Sequence, residues 1–593
     1  MKRGIALALS LALVLGLALV GCGGDTSSTG QSNGASQSGG TSTSTSGSTG
    51  EDGGGMDMFH RYDETITLTV GQWISDEKYF PEGMDSADNA MYDMVKELMN
   101  IQLEPAFTTP KTEAFYEQSA RLQMADNLPD ICAYNINTFY DGIKAEQFVD
   151  LKPYYDELAS PTLKRMLEVN SGAFMEPCYV DGALYALPYV VDQFNLVPMM
   201  WVRTDWLEIT GWKNAKGGDY PETYEDFTDM LQTFADNYDK IEAETGVADV
   251  YAFAMYQTMG NPLSGMMAAF DAYPGIHLTD ASGNYYNGSL TPEVKACLEE
   301  LNRFQTAGIL RTDWATQPTE QIVADSQAGK VGVFFDEFWA ALAGQVGGMM
   351  WLAIAEAEAN PGLANAGWVS LPIPRQDGSG LIKPQVTRQS TDYYAVSRNC
   401  ENPEALIIML NHLAEGSNEE GTAKGPEGGE GYYAPYPTKY RELDETYPEK
   451  SIWTWLPVAL DDPTKNATYT TKFHDIEAGK MSEDELTPSE LIVWNNVNSE
   501  DPFTQWQWRN VYMDNGVPTA MLYTEYTSNK YVGAPTATSQ RNGQTLLTTQ
   551  NTAFVNFITG SDSLDNFDAF VENYNSLGGT AIVQEIEEVM KDR

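Results

Sequence analysis

The sequence predicts an α/β fold for the main body of this 593-residue chain. Residues 65–70 alternate β-branched and other side chains, which is typical of a strand. Residues 90–99 place apolar side chains at helical spacing. A second strand pattern follows at 101–104, a second helix at 115–124 and a third strand at 128–132. This strand–helix alternation is that of a parallel sheet.

The same mixture continues toward the C-terminus. The patterns predict further helices at 222–234, 292–306 and 402–412, and a buried strand at 329–335. Pro221, Pro292 and Pro403 mark the starts of the three helices, where proline is tolerated because the first N–H groups have no helical partner. We therefore expect α/β architecture over the whole body.

Composition and charge exclude several classes of function. The chain has 84 acidic and 35 basic residues and a formal net charge of −49. Binding to nucleic acid or to an anionic membrane surface requires basic residues, so neither is expected. The 13 Trp, 32 Tyr and 22 Phe residues exclude a wholly disordered chain. Neutral ligands are not excluded, because the field in a cleft can differ from the total charge.

The N-terminus carries a targeting segment. Two basic residues at positions 2 and 3 precede an apolar run at 5–20, which is too short for a stable bilayer span and typical of a signal peptide. The following Leu-Val-Gly-Cys at 19–22 resembles the lipobox of bacterial lipoproteins. That resemblance implies a signal peptide at 1–21, removed by cleavage before Cys22, and lipidation of the Cys22 sulfur. The alternative is an ordinary secretory signal in which Cys22 occurs by chance.

A linker separates this segment from the body. Residues 23–55 are almost entirely Gly, Ser, Thr and other polar residues, with Ala35 as the one aliphatic side chain. Such a segment cannot bury enough apolar area to offset the entropy of ordering it. Its mean reach as a flexible coil is about 30 Å. Together with a lipid on Cys22, this tether predicts a protein on the extracellular face of the cell membrane, of the Gram-positive lipoprotein type, with a periplasmic lipoprotein as the alternative.

The body contains an ordered series of short motifs. In chain order they are a strand ending at Trp73, Leu-Pro-Asp-Ile at 128–131, Gln-Phe-Val-Asp-Leu at 147–151, Gly-Ala-Leu-Tyr-Ala-Leu-Pro at 182–188, Trp-Val-Arg-Thr-Asp-Trp-Leu at 201–207, Pro-Glu-Thr-Tyr-Glu-Asp-Phe at 221–227, Gly-Lys-Val-Gly at 329–332, and C-terminal segments at 554–560 and 568–579. In this order the motifs resemble family 1 extracellular solute-binding proteins, the lipoproteins that deliver carbohydrates to ABC importers. The acidic Gly-rich segment at 415–431 departs from the family pattern.

This resemblance implies a two-lobed, periplasmic-binding-protein-like fold of type II, with a hinge and a cleft between the lobes. Lobe one is expected at 60–188 plus 385–430, and lobe two at 190–383 plus 432–593. The implied function is capture of an oligosaccharide and its delivery to the permease subunits of an ABC transporter. The implied protein is a monomer without enzymatic activity.

Candidate ligand-binding residues follow the predicted strands, because open α/β sheets bind ligands at the carboxyl ends of their strands. Aromatic rings can stack on the C–H face of a sugar, and carboxylates and amides can bind its hydroxyl groups. The candidates are Trp73, Asp76, Tyr134, Asn135, Asn137, Asp192, Gln193, Asp336 and Trp339. Each Trp could instead pack in a core, and Asp192 and Gln193 could instead form hinge hydrogen bonds. Further subsites or packing positions are Trp453, Trp455, Trp506 and Trp508.

Signatures of catalysis and cofactor binding are absent from the sequence. The four His residues lack H-E-x-x-H spacing, and there is no G-x-S-x-G, phosphate-binding loop or C-x-x-C. We expect no cofactor and no metal, and a hairpin turn at 280–284 rather than a calcium loop. The cysteines Cys132, Cys178, Cys297 and Cys400 are expected to be buried and free, although three pairings are conceivable.

Two other functions stay open at this point. Adjacent acidic pairs such as Asp336-Glu337 and Asp461-Asp462 could belong to a surface-anchored carbohydrate-active enzyme. The same fold could also bind a peptide or another small polar solute.

Overall fold

The computed structural model describes residues 56–74, 80–110, 113–169, 173–342, 367–387, 390–417 and 455–591. They belong to one compact unit that begins at Met56. Cys22, Asp76 and Trp453 lie outside the described residues, as does the acidic Gly-rich segment from residue 418 onward.

The first of two main sheets is mixed and has the strand order β2-β1-β3-β13-β6. Its strands are β1 (Ile66–Ile74), β2 (Ile101–Pro110), β3 (Ile131–Tyr134), β6 (Leu187–Pro188) and β13 (Tyr393–Val396). The strands β1, β2 and β3 are parallel, as the strand–helix alternation predicts, and β13 is antiparallel to both of its neighbours. The late strand β13 therefore returns the chain to the first sheet.

The second main sheet has the order β12-β7-β11-β8. Its strands are β7 (Met199–Arg203), β8 (Tyr251–Phe253), β11 (Val331–Asp336) and β12 (Trp368–Leu371). Here β11 is parallel to β8, whereas β7 is antiparallel to β11 and β12. Two hairpins complete the β-structure, β4 (Tyr179–Val180) with β5 (Ala183–Leu184), and β9 (His277–Thr279) with β10 (Tyr285–Asn287).

Helices surround both sheets. In the first part of the chain they are α1 (Ala90–Met99), α2 (Glu113–Met124), α3 (Ile136–Lys144), α4 (Lys152–Leu158) and α5 (Pro161–Leu167). The middle part has α6 (Thr204–Thr210), α7 (Tyr224–Asp236), α8 (Tyr238–Thr245), α9 (Gly260–Ala269), α10 (Pro292–Thr306) and α11 (Thr319–Gln327). The last part has α12 (Ala405–Ser417), α13 (Lys465–Glu477), α14 (Pro488–Val497), α15 (Pro502–Arg509), α16 (Gly516–Ala520), α17 (Ala537–Thr559), α18 (Phe567–Tyr574) and α19 (Thr580–Lys591).

Local hydrogen bonds explain where the predicted helices begin. The predicted bounds of α1 and α10 are confirmed, with Asn89 and Thr291 as side-chain caps. Helix α7 begins at Tyr224 rather than at residue 222, because a reciprocal capping box forms at its start. The Thr223 hydroxyl accepts from the Asp226 N–H, and the Asp226 carboxylate accepts from the Thr223 N–H.

The buried side chains form separate cores for the two sheets. One core surrounds the first sheet, and two adjoining cores surround the second. The segment 455–460 packs in the first core, although the predicted boundaries assign it to lobe two. We therefore propose that the last passage between lobes lies at 461–464 rather than at 431. The other predicted lobe boundaries stay predictions.

Within the described residues, the first passage between the two sheets, 189–198, is hydrogen-bonded to residues 390–392 and to residue 463 of the other two passages. The Tyr189 N–H donates to the Asp392 carbonyl at 3.0 Å, and the Ser390 hydroxyl donates to the Tyr189 carbonyl at 2.6 Å. The Gln193 N–H donates to the Pro463 carbonyl at 2.9 Å. The first passage between the sheets is thus tied to the other two, as expected of a hinge.

A buried ion pair organises the second sheet. The Arg203 guanidinium donates two hydrogen bonds to the Asp205 carboxylate, at 2.8 and 2.6 Å, and one to the Gly329 carbonyl at 3.1 Å. Its carbon centre lies 5.6 Å from the ring centroids of both Trp206 and Trp368. A Cβ added at Gly332 would lie 2.5 Å from the Trp206 ring. The segments 201–207 and 329–332 are therefore in direct contact.

We predict that Arg203→Met lowers the free energy of unfolding by about 3–5 kcal/mol, because it leaves the buried Asp205 carboxylate without a counter-charge. Denaturant unfolding monitored by tryptophan fluorescence measures the change. Arg303→Met is the matched control, since Arg303 pairs with Glu300 at the surface, and it should cost no more than about 1 kcal/mol. Equal losses in both variants would contradict a structural role for the buried pair.

Candidate functional site

The strand ends of the two sheets define the candidate site. In the first sheet, the register pairs Tyr393 at the start of β13 with Tyr134 at the end of β3 and with Pro188 at the end of β6. In the second sheet, Asp336 at the end of β11 lies opposite Met199 at the start of β7. Residues 189–198 run directly from the first of these edges to the second. Both edges therefore adjoin the same passage of the chain.

The predicted residues of the first edge lie at the strand ends but differ in exposure. Trp73 and Tyr134 pack in the first core, and the Tyr134 ring, 1% exposed, lies 5.0 Å from the ring of Phe148. The Asn135 side chain caps α3 by accepting from the N–H of Thr138 at 3.0 Å. Asn137 is exposed in the first turn of that helix. Of the predicted residues of this edge that the structure describes, the two asparagines offer surface to a ligand.

The same edge carries a polar cluster that was not predicted from the sequence. The hydroxyl of Tyr116 donates to the buried carboxylate of Asp392 at 2.9 Å, and Thr391 donates to its other oxygen at 3.1 Å. Burial and the neighbouring Asp392 charge raise the pKa of Tyr116. Asp392 directly precedes β13, and the sequence gives no signal that this late strand completes the first sheet beside Tyr134.

Asp192 and Gln193 lie in the first passage between the sheets. The Asp192 carboxylate accepts from the Phe194 N–H at 2.8 Å and from the Asn466 amide at 2.9 Å, and the hydroxyl of Tyr512 donates to the Asn466 carbonyl oxygen at 2.8 Å. Burial raises the pKa of Asp192 to about 7. The sequence left two roles open for Asp192 and Gln193, ligand binding and hydrogen bonding in the hinge. The observed contacts are hinge hydrogen bonds. A contact with a ligand stays a prediction.

The second edge brings Asp336 together with Glu337, and we name these two residues the acid pair. Asp336 is 7% exposed and Glu337 is 4% exposed. Asp336 Oδ1 accepts from the Asn261 amide and from the Glu337 N–H, each at 2.9 Å. Glu337 Oε2 accepts from the Leu196 N–H at 2.8 Å. The acid pair therefore fastens the first passage and α9 to the end of β11.

Trp339 is oriented by the acid pair. It lies in a short 3₁₀ turn, Phe338–Ala341, and its indole Nε1–H donates to Glu337 Oε2 at 3.2 Å. Its side chain is half-buried against the adjoining core, so part of the ring is accessible. A Cβ added at Gly516 would overlap the Phe338 carbonyl oxygen, so α16 can approach this turn only because position 516 is glycine. The predicted pair Asp336 and Trp339 is thus held in a fixed arrangement.

Burial shifts the pKa values of both members of the acid pair upward. Burial raises the pKa of Asp336 to about 7, with the neighbouring Glu337 charge adding to the shift, and burial also raises the pKa of Glu337. Leu196, whose N–H bonds to Glu337, has a positive φ of 63°, and Met259, two residues before Asn261, has a φ of 64°. Left-handed backbone in such residues is uncommon and concentrates at functional sites. Charge burial and backbone strain coincide at this edge of the second sheet.

Aromatic residues beyond Trp339 divide into two groups. Trp455 is fully buried in the first core and is a packing residue. Trp506 and Trp508 are half-buried against the same core as Trp339, and Trp508 stacks on Tyr512 at 5.9 Å. Gln507, between them, donates to the Ala341 carbonyl at 3.3 Å. Helix α15 therefore contacts the turn that carries Trp339.

The remaining sequence predictions concern metals and thiols. Residues 280–284 form the predicted turn, in which the Asp280 carboxylate accepts from Ser282 and Asn284. Cys132, Cys178, Cys297 and Cys400 are buried and free, as predicted. Among the residues that the structure describes, no group of three or more His, Cys, Asp or Glu side chains could hold a metal ion.

Comparison with protein-family models gives no match, and no curated protein matches the sequence. Solved structures do match over nearly the whole chain. An HMO binding, ABC-transporter associated solute-binding protein from Bifidobacterium longum infantis ATCC 15697 is 14% identical, with 89% of this chain and 98% of that chain covered and a TM-score of 0.55.

Two further solved structures have a TM-score of 0.52 and 13% identity. One is the S. pneumoniae ABC-transporter substrate-binding protein FusA in complex with kestose, and the match covers 89% of this chain and 100% of that chain. The other is the alginate-binding protein AlgQ2 without calcium ion, and the match covers 90% of this chain and 99% of that chain. At such low identity the similarity establishes the fold. The chain therefore has the two-lobed α/β fold of extracellular solute-binding proteins.

Proposed function

We propose that this protein is an extracellular solute-binding protein that captures an oligosaccharide between its lobes and delivers it to an ABC importer. The observation that carries the proposal is the half-buried Trp339 fixed beside the acid pair at the carboxyl edge of the second sheet. Three proteins of the same fold are named for, or solved with, sugar ligands. The proposed role is binding without turnover.

The chemistry of this edge suits a sugar. The accessible part of the Trp339 ring can stack on the C–H face of a pyranose or furanose. Asp336 and Asn261 can form hydrogen bonds with hydroxyl groups, and bonds to a carboxylate are the stronger kind. On the first edge, Asn135 and Asn137 are the predicted residues with accessible surface among those that the structure describes. An oligosaccharide long enough to contact both edges would use both sets.

Contacts to both lobes connect binding to transport. A ligand shifts an equilibrium between open and closed forms only if it binds one of them more tightly. A sugar held by Trp339 and by the first edge would favour closure about the hydrogen-bonded passages between the sheets. The closed form would then present both lobes to the permease in one relative orientation.

The anchor and the location belong to the same proposal. Lipidation of Cys22 and the linker at 23–55 would hold a monomeric body near the outer face of the membrane. Within the described ranges, no helix combines the length and apolar character needed to cross a bilayer.

Binding can be tested on the chain from residue 23 onward, against a panel of oligosaccharides, monosaccharides and peptides. A ligand at 100 times its Kd stabilises the folded state by about 2.7 kcal/mol, which a thermal shift detects. We expect oligosaccharide hits that chromatography recovers intact. Hits confined to peptides, or cleavage of the bound sugar, would contradict the proposed function.

We predict that Trp339→Ala weakens binding of the best oligosaccharide by about 10- to 100-fold, because it removes the stacking surface. Isothermal titration calorimetry measures the Kd, and circular dichroism checks the fold. Tyr286→Ala is the control, since Tyr286 is an exposed aromatic on the β9–β10 hairpin, outside both strand edges. An unchanged Kd in Trp339→Ala would remove Trp339 from the site.

We also predict that Asp336→Asn raises the melting temperature. The pKa of Asp336 rises from 3.8 to about 7 on folding, so stability falls as pH increases between these values. At 1.36 kcal/mol per pKa unit, the loss above pH 7 is at most about 4 kcal/mol. Asparagine does not ionise, so the variant avoids this loss of stability. The gain in melting temperature should therefore be largest above pH 7 and should shrink toward pH 4.

Differential scanning calorimetry at pH 5 and pH 8 measures this dependence. Glu299→Gln is the control, because it removes one negative charge from an exposed position of α10. A gain that does not depend on pH, or one equal to that of the control, would contradict the effect of burial at Asp336.

A further inference from the structure

The acid pair has a free hydrogen-bond acceptor at the strand end. Asp336 Oδ1 is occupied by Asn261 and by the Glu337 N–H. Among the described residues, no donor bonds to Asp336 Oδ2, and this oxygen is not one of the enclosed side-chain atoms that lack a partner. Oδ2 therefore keeps some accessible surface, although the side chain as a whole is buried. A donor supplied from outside the chain would satisfy this oxygen.

The acid pair also has no counter-charge among the residues that the structure describes. Four other buried carboxylates of the described chain pair with cations, namely Asp205 with Arg203, Asp325 with Arg311, Asp462 with Arg165 and Glu490 with Lys472, whereas Asp226 and Glu404 are buried and accept from neutral donors. Within the described part of the chain no Lys, Arg or His forms an ion pair with Asp336 or Glu337, and residues 343–366 that follow contain none of these residue types. Within the described residues, therefore, no cation offsets the negative field of the acid pair.

Such a field discriminates between ligands by charge. A sugar hydroxyl can donate a hydrogen bond to Asp336 Oδ2, to which no described residue donates. A ligand carboxylate or sulfate brings a like charge to two carboxylates in a poorly solvated place, where repulsion is stronger than in water. Glu337 cannot turn away, because the N–H of Leu196 and the indole of Trp339 hold its carboxylate.

On the basis of the function proposed above, we infer that the acid pair makes this site specific for uncharged oligosaccharides and excludes uronate-containing or sulfated ones. A hydroxyl group of the sugar supplies the hydrogen-bond donor that Asp336 Oδ2 does not have among the described residues. The same negative field that accepts this donor rejects an anionic ring at the same position. Asp336 and Glu337 are then the residues that determine specificity by ligand charge.

The test uses pairs of oligosaccharides that share a linkage and differ in charge. Suitable pairs are β-1,4-mannotriose with β-1,4-trimannuronate, and α-1,4-galactotriose with α-1,4-trigalacturonate. Calorimetric titration at pH 8 gives the ratio of Kd values in each pair. We expect every anionic member to bind at least about 100-fold more weakly than a neutral partner that binds, or not to bind.

Two variants test whether the acid pair causes the weaker binding of anionic sugars. Asp336→Asn keeps an oxygen that accepts from Asn261 and from the Glu337 N–H, and it changes only the free acceptor into an amide N–H₂. Glu337→Gln removes the second charge. Each variant should reduce the discrimination at least about tenfold, since like charges at an interface contribute several kcal/mol. The control Glu299→Gln changes the net charge equally and should leave the ratio unchanged.

The outcomes separate this inference from the function on which it rests. If anionic sugars bind as tightly as their neutral partners, or if both variants leave the ratio unchanged, the charge specificity is wrong and the oligosaccharide-binding function stands. If the folded protein binds neither member of any pair and no other sugar of the panel, the proposed function and the inference both fail.

Discussion

The candidate site depends on one geometric constraint, the convergence of the strand ends of two separate sheets at the passages between them. The hydrogen-bond register places Tyr134 and Pro188 on one edge and Asp336 on the other. Residues 189–198 leave the first edge and reach the second directly. Because the other passages bond to this one, a change in the relative position of the lobes must involve these few hydrogen bonds. Hinge and site are therefore one structural unit.

The acid pair connects the hinge with the ligand side of this unit. Glu337 accepts both from Leu196, in the passage between the sheets, and from Trp339, the proposed stacking platform. A displacement of the passage would therefore act on the orientation of the indole through a single carboxylate. The glycine at position 516 has a supporting role, since a side chain there would displace the turn that carries Trp339.

Burial of two unpaired carboxylates is unfavourable for folding, and the structure keeps them all the same. Asp205 is equally buried but is held by Arg203, so the fold does contain a means of neutralising an internal carboxylate. At the end of β11 the free acceptor and the uncompensated charge persist. Interactions left unsatisfied in the free protein are available to a ligand, which is the general relation between a strained site and its function.

Much of the fold and part of the site could be predicted from the sequence. Local patterns gave the strand and helix order of the first lobe, the bounds of α1 and α10, and the free buried cysteines. They also placed Asp336 and Trp339 after a buried strand, where the structure has them. These features depend on residues close together in the chain, whose periodicity and capping are local properties.

The rest was decided by contacts between distant segments. The return of β13 to the first sheet brings Asp392 beside Tyr116, and the packing of 455–460 in the first core sets the last passage between the lobes. Trp73 and Tyr134 occupy strand ends as predicted, yet neighbouring elements bury their rings. The sequence by itself determined the chain order of the elements and the residue types at the strand ends. Only the tertiary structure decided which of those side chains stay accessible and which carboxylates lack a counter-charge, because burial and charge pairing depend on residues far apart in the chain.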